Sequence, residues 1–139
     1  MRPTVVAFTF GSDPAALRRT LDRIGRVMSD AGAAALAGDC RIVLAEVFNN
    51  IAEHAYGGAP GPITLRLTCG PGRLSCVVTD RGAPMPGFPQ LGRRFPDVDA
   101  EKPMGLPEGG FGWALVRQLA RDIRYDRVGD RNLLRFDIR

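Results

Sequence analysis

Lysine and histidine are nearly missing from this 139-residue sequence, which holds one of each, Lys102 and His54. With Glu101 before the only lysine, the Gly-Lys-[Ser/Thr] of a Walker phosphate loop is excluded. A single histidine without an Asp/Glu cluster elsewhere is thin provision for metal hydrolysis, and no Gly-x-Ser-x-Gly accompanies it for a serine hydrolase. The protein-kinase motif set is absent, and Gly110-Phe111-Gly112 lacks the third glycine of a dinucleotide fingerprint, since Leu115 stands there. Cysteine is scarce and odd in number, and Cys40, Cys69 and Cys76 form no Cys-x-x-Cys pair. A disulfide framework or zinc site is therefore not expected, and the three read as small buried hydrophobes of a reducing compartment. No apolar run reaches 18 residues and no apolar leader follows Met1-Arg2-Pro3-Thr4. A cytoplasmic protein with no membrane segment is the expectation. The net charge is +4, and seven arginines from Arg117 onward face four aspartates. An Arg-rich solvated face with alternating aspartates is the plainer reading, and direct nucleic-acid binding is not expected.

Glycine and proline are in surplus, with 17 and 11 residues, while the hydrophobic share of 45% and charged share of 24% are those of a globular chain. One domain covering residues 1–139 is the natural count. The surplus is local. Five glycines and six prolines fall within residues 81–109, which show neither helical nor strand period.

Elsewhere the periods are clear. Pro3–Phe10 alternates as a strand, and Ser12-Asp13-Pro14 provides a cap and a first-turn proline for a helix running to about Asp30. Gly32–Gly38 is a small-residue connector, and Asp39 is placed to cap a second helix over Cys40–Ala55. Two alternating runs, Ile63–Cys69 and Leu74–Val78, flank Gly70-Pro71-Gly72 and predict a hairpin. A third helix is expected over Gly110–Arg121, then strands Ile123–Val128 and Leu133–Ile138 turned at Gly129-Asp130. Adjacent antiparallel strands with helices inserted in blocks give an α+β class: one mixed, mostly antiparallel sheet with helices on one face, a two-layer sandwich.

Three segments carry chemistry. At 100° per residue, Leu44, Val47, Phe48, Ile51 and Ala55 form the core stripe of the second helix. Glu46, Asn50 and His54 then fall in one column on the opposite side, flanked by Asn49 and Glu53. A carboxylate, a carboxamide and an imidazole so arranged can present a base, a metal ligand and a donor, or they can be a solvated face closed by His54 at the negative helix end. The hairpin ends in Asp80-Arg81-Gly82-Ala83-Pro84, where a carboxylate beside a sharp turn could accept from a base's exocyclic amine or simply end a strand. Glu108-Gly109-Gly110-Phe111-Gly112 opens a helix, leaving bare N–H groups for an anion or close contact for helix packing.

Taken in this order, the segments resemble the Bergerat-type, histidine-kinase-like ATPase domains, and more narrowly the anti-sigma-factor serine kinases. Leu44–Tyr56 resembles their N box, Asp80–Pro84 their first glycine box and Glu108–Val116 their second. The resemblance implies that Asn50 holds Mg²⁺ bridging the phosphates of ATP, and that Glu46 is the general base toward a substrate serine. It implies that Asp80 accepts from the adenine amino group with Gly82 allowing close approach. Gly109, Gly110 and Gly112 would cradle phosphates beneath an ATP lid at about residues 87–108. It also implies a phosphorylatable anti-anti-sigma partner, a sigma factor held inactive, and a homodimer. A threonine near the final strand is implied as well, and Leu133-Leu134-Arg135 supplies none. Three functions stay open: an ATP-dependent serine protein kinase, a nucleotide-sensing partner switch with little or no catalysis, and a histidine-kinase catalytic fragment. The last needs a phospho-acceptor helix that these residues lack.

Overall fold

The computed structural model describes residues 3–85, 93–94 and 110–139. Strand β1 (Thr4–Gly11) leads into helix α1 (Pro14–Asp30), and helix α2 (Ala37–Asn50) follows a short 3₁₀ turn at Ala34–Leu36. A π-helical turn, Ile51–Ala55, extends α2 before the hairpin of β2 (Pro62–Gly70) and β3 (Arg73–Asp80). The two-residue strand β4 (Arg93–Arg94), helix α3 (Gly110–Leu119) and strands β5 (Arg121–Val128) and β6 (Arg131–Ile138) complete the described elements.

The strands form one sheet in the order β1-β2-β3-β6-β5-β4. Every described pair is antiparallel, so the sheet expected as mixed has no parallel pair among the described residues. Side chains alternate across it. Phe8, Ile63, Leu65, Leu67, Leu74, Cys76, Val78, Ile123, Tyr125, Leu134, Phe136 and Ile138 are all buried on the face that the helices cover. The opposite face exposes Val5, Arg66, Arg124 and Arg135. One covered face and one wet face is what period-2 alternation encodes.

Helix α1 begins as its sequence predicts. Asp13 accepts from Ala16 N–H at 3.1 Å, and Pro14 sits where its missing N–H costs nothing. The start of α2 differs from expectation. The preceding 3₁₀ turn carries the chain into the helix at Ala37, Leu36 occupies the cap position without a side-chain bond, and Asp39 lies in the first turn. Asp39 is therefore no cap, though its charge still suits the positive helix end.

Helix α2 packs between α1 and α3 over the sheet. Its buried set is wider than the predicted stripe, because Cys40 and Val43 join Leu44, Val47, Phe48 and Ile51. Phe48 meets Phe10 of β1 edge to face at a 4.9 Å centroid distance, a contact of about 0.5–1.5 kcal/mol beyond the area it buries. The three cysteines are free and buried. The Cys40 contact and burial push the Cys76 thiol well up, which suits their reading as inert hydrophobes.

Candidate functional site

The end of α2 and the end of β3 meet at one corner of the molecule. Tyr56 N–H donates to Ile51 O at 3.0 Å, five residues back, and this wider turn changes the direction of the helix end. Ala55 O, within this turn, accepts from Ala83 N–H at 2.7 Å. A Cβ placed on Gly82 would stand 2.4 Å from that same carbonyl oxygen. Gly82 is required for this close passage of two backbones, and not for a left-handed conformation. The Tyr56 hydroxyl adds a second tie, accepting from Arg81 N–H at 2.9 Å and donating to Pro62 O.

On α2, Asn50 is 9% exposed, and its carboxamide makes no hydrogen bond among the described residues. Glu46, one turn earlier, is half-buried. The outward polar column predicted from the wheel is corrected here. Asn50 is buried although the wheel sets it opposite the core stripe, and His54 falls in the π-helical turn that follows α2. His54 is exposed instead, with its Nε2 3.8 Å from Glu53 Oε2. A carboxamide with no hydrogen bond among the described residues, one turn from a carboxylate, fits a magnesium ion, which takes one or two protein oxygens and fills the rest of its shell from phosphates and water.

Asp80 is 5% exposed at the end of β3. Its Oδ1 accepts from Gly82 N–H at 2.9 Å and from Asn132 Nδ2 at 2.8 Å, while Oδ2 accepts nothing among the described residues. Burial pushes the carboxyl pKa up, against the Asn132 bond, the Gly82 N–H and the Arg127 charge, which pull it down.

Asn132 is the residue that sequence reasoning missed. It stands directly opposite Asp80 in the β3–β6 register, one residue before the Leu133-Leu134-Arg135 stretch that holds no threonine. Its Nδ2 also reaches Ala83 O at 2.9 Å and Gly82 O at 3.2 Å. Its Oδ1 accepts from the Tyr125 hydroxyl at 2.7 Å and from Arg127 Nη1 at 3.0 Å. The same Nη1 donates to Gly82 O at 2.6 Å, and Met85 N–H donates to the Tyr125 hydroxyl at 2.8 Å. The only local signal was an asparagine just past a turn, and its partner lies 52 residues earlier.

Gly110 and Gly112 lie in the first turn of α3, where N–H groups lack intrahelical partners. Gly109 lies outside the described residues, as does the predicted lid at 87–108 apart from Arg93–Arg94, which pair with Tyr125 and Arg124. Among the described residues no group of three or more His, Cys, Asp or Glu could hold a metal, and no helix is long and apolar enough to cross a membrane.

Residues 10–138 match the family of the histidine kinase-like ATPase domain. The chain is 36% identical over 87 residues to the serine-protein kinase RsbW of Bacillus cereus (strain ATCC 10987 / NRS 248), covering 62% of this chain and 54% of that protein. It is 34% identical, with the same coverage, to proteins of that name from Bacillus thuringiensis (strain Al Hakam) and Bacillus mycoides (strain KBAB4). The chain thus spans about half the length, 54%, of these curated relatives. Because the family match runs from the end of β1 to β6, the chain belongs to the histidine kinase-like ATPase domain family, and the relatives it is similar to over 87 residues are named serine-protein kinases.

Proposed function

We propose that this protein is an ATP-dependent serine protein kinase that phosphorylates an anti-anti-sigma partner and, as an anti-sigma factor, sequesters a sigma factor. The observation that carries the reading is the Ala83–Ala55 hydrogen bond of 2.7 Å. It holds the Glu46/Asn50 helix and the Asp80 strand end against each other, so that one nucleotide can meet both. The relatives' name, serine-protein kinase, supports phosphoryl transfer to serine.

In this reading Asp80 orients ATP by accepting from the adenine amine. The first-turn N–H groups at Gly110 and Gly112, with Gly109 before them, meet the phosphates at the positive end of α3. Asn50 supplies one oxygen to Mg²⁺, which when bound neutralises phosphate charge. Glu46 takes the proton from the substrate serine hydroxyl as its oxygen bonds to the γ-phosphorus, and the bond to the β–γ bridging oxygen breaks to release ADP. The protein's share is positioning and one proton, which is what phosphoryl transfer asks of it. Residues 87–108 act as the lid over the nucleotide, and the active species is a homodimer in the cytoplasm.

The test is transfer of radiolabelled γ-phosphate from ATP to a cognate anti-anti-sigma protein. The wild type labels a serine, and Glu46→Gln lowers the rate at least about 100-fold, the usual worth of a general base, with ATP affinity kept. Equal rates in the two would remove Glu46 from that role. ATP binding without any transfer would identify the partner switch that lacks catalysis.

A further inference from the structure

The hydrogen bonds around Asn132 reach beyond holding two strands together. Its orientation is unambiguous. Arg127 can only donate, and the Tyr125 hydroxyl already accepts from Met85 N–H, so its own proton goes to Asn132. Burial, the largest influence on it, raises the Tyr125 hydroxyl pKa and keeps that proton in place. The amide oxygen therefore faces Tyr125 and Arg127, and the amide nitrogen faces Asp80 Oδ1, Gly82 O and Ala83 O, all acceptors when Asp80 is ionised. The side chain is 2% exposed with both ends engaged. No capacity remains for a ligand, so Asn132 acts only through Asp80.

Its effect there is specific. Asp80 Oδ1 is filled by two donors, Asn132 Nδ2 and Gly82 N–H. Oδ2 is left as the acceptor that a ligand can meet. Besides Asn132, the groups acting on this carboxyl are the Gly82 N–H and the Arg127 charge, and the Tyr56 and Tyr125 hydroxyls feel its charge in turn. An ionised carboxylate held this way accepts and cannot donate. It can take the 6-amino group of adenine, whereas the 6-oxo group of hypoxanthine or guanine would set two acceptors face to face.

We infer that Asn132 is a positioning residue that makes this site select 6-amino over 6-oxo purine nucleotides, by saturating Asp80 Oδ1 and leaving Oδ2 as the sole acceptor presented. This rests on the reading that Asp80 meets the base. It assigns to Asn132 an indirect role, unlike a side chain that touches adenine itself.

The experiment is calorimetric binding of ATP and ITP, each with magnesium, to the full chain and two variants, with melting curves to establish folding. The wild type binds ATP at least about 100-fold more tightly than ITP, because a site built around a hydrogen bond rejects the analogue that cannot make it. Asn132→Leu reduces that ratio at least tenfold, since the carboxyl is then free to turn or take a proton and donate to the 6-oxo group. Asn132→Asp keeps the shape should the leucine variant fail to fold. While a proton is shared by the two carboxyls the bond to Asp80 is restored, and its loss as pH rises leaves two repelling charges. The ATP-to-ITP ratio of this variant therefore falls with rising pH while the wild-type ratio stays flat. A folded leucine variant with the wild-type ratio, or an aspartate variant whose ratio ignores pH, overturns the inference. Failure of the wild type to bind ATP at all overturns the nucleotide reading instead.

Discussion

Gly82 and Ala55 are packed backbone to backbone, so closely that a methyl group on Gly82 would overlap the Ala55 carbonyl at 2.4 Å. This contact joins the segment that resembles a first glycine box to the end of the one that resembles an N box. Gly82→Ala must therefore part the two segments and break the Ala83–Ala55 bond. The expected cost is about 1–3 kcal/mol, read as a lower urea midpoint, together with loss of ATP binding. Unchanged stability would mean that the two segments do not meet at this distance.

Asp80 carries a predicted conflict between stability and function. Its folded pKa lies above the unfolded one, so the folded protein binds the extra proton and stability falls as pH rises from about 4 through the raised value. Asp80→Asn keeps an oxygen for Asn132 and Gly82 while removing the buried charge. The variant should be at least as stable as the wild type at pH 7, show a flatter stability–pH curve above about pH 4, and lose ATP binding. Urea titrations across that range check the sign, and a clear loss of stability at pH 7 would contradict it.

The wet face of the sheet holds a different conflict. Arg124 and Arg135 are direct cross-strand partners, both exposed, and neither has an ion pair among the described residues. Like charges so placed repel, so Arg135→Glu should stabilise the fold by about 0.2–1 kcal/mol at low ionic strength. The gain should shrink at about 1 M salt, where screening acts within about 3 Å. Urea midpoints at the two salt levels measure it, and a gain unaffected by salt would point to a cause other than charge.

Much of this molecule was legible in its sequence because the relevant physics is local. Asp13 and Pro14 mark the start of α1 through one backbone bond and one absent donor, both within a single turn. The alternation in Ile63–Cys69 and Leu74–Val78 predicts a hairpin with one buried face, and Gly72, with φ of 64°, takes the turn conformation that favours glycine. Local reading erred where neighbours outside the segment decide. Asn50 falls opposite the core stripe on the helical wheel and is nonetheless buried. His54 lies in the π-helical turn Ile51–Ala55, which a regular 3.6-residue wheel does not anticipate.

The sequence by itself determined the elements, the class of the fold and three motifs in a telling order, since periodicity, capping and turn chemistry act over a few residues. Only the tertiary structure decided which polar groups share a site. Asp80 and Asn132 lie 52 residues apart, and strand register alone sets them opposite each other. Once buried together they must satisfy one another's hydrogen bonds, because an unpaired polar group away from water costs more than a bond returns. That requirement turned an asparagine that looks ordinary in the sequence into the partner of the carboxylate at the centre of the site.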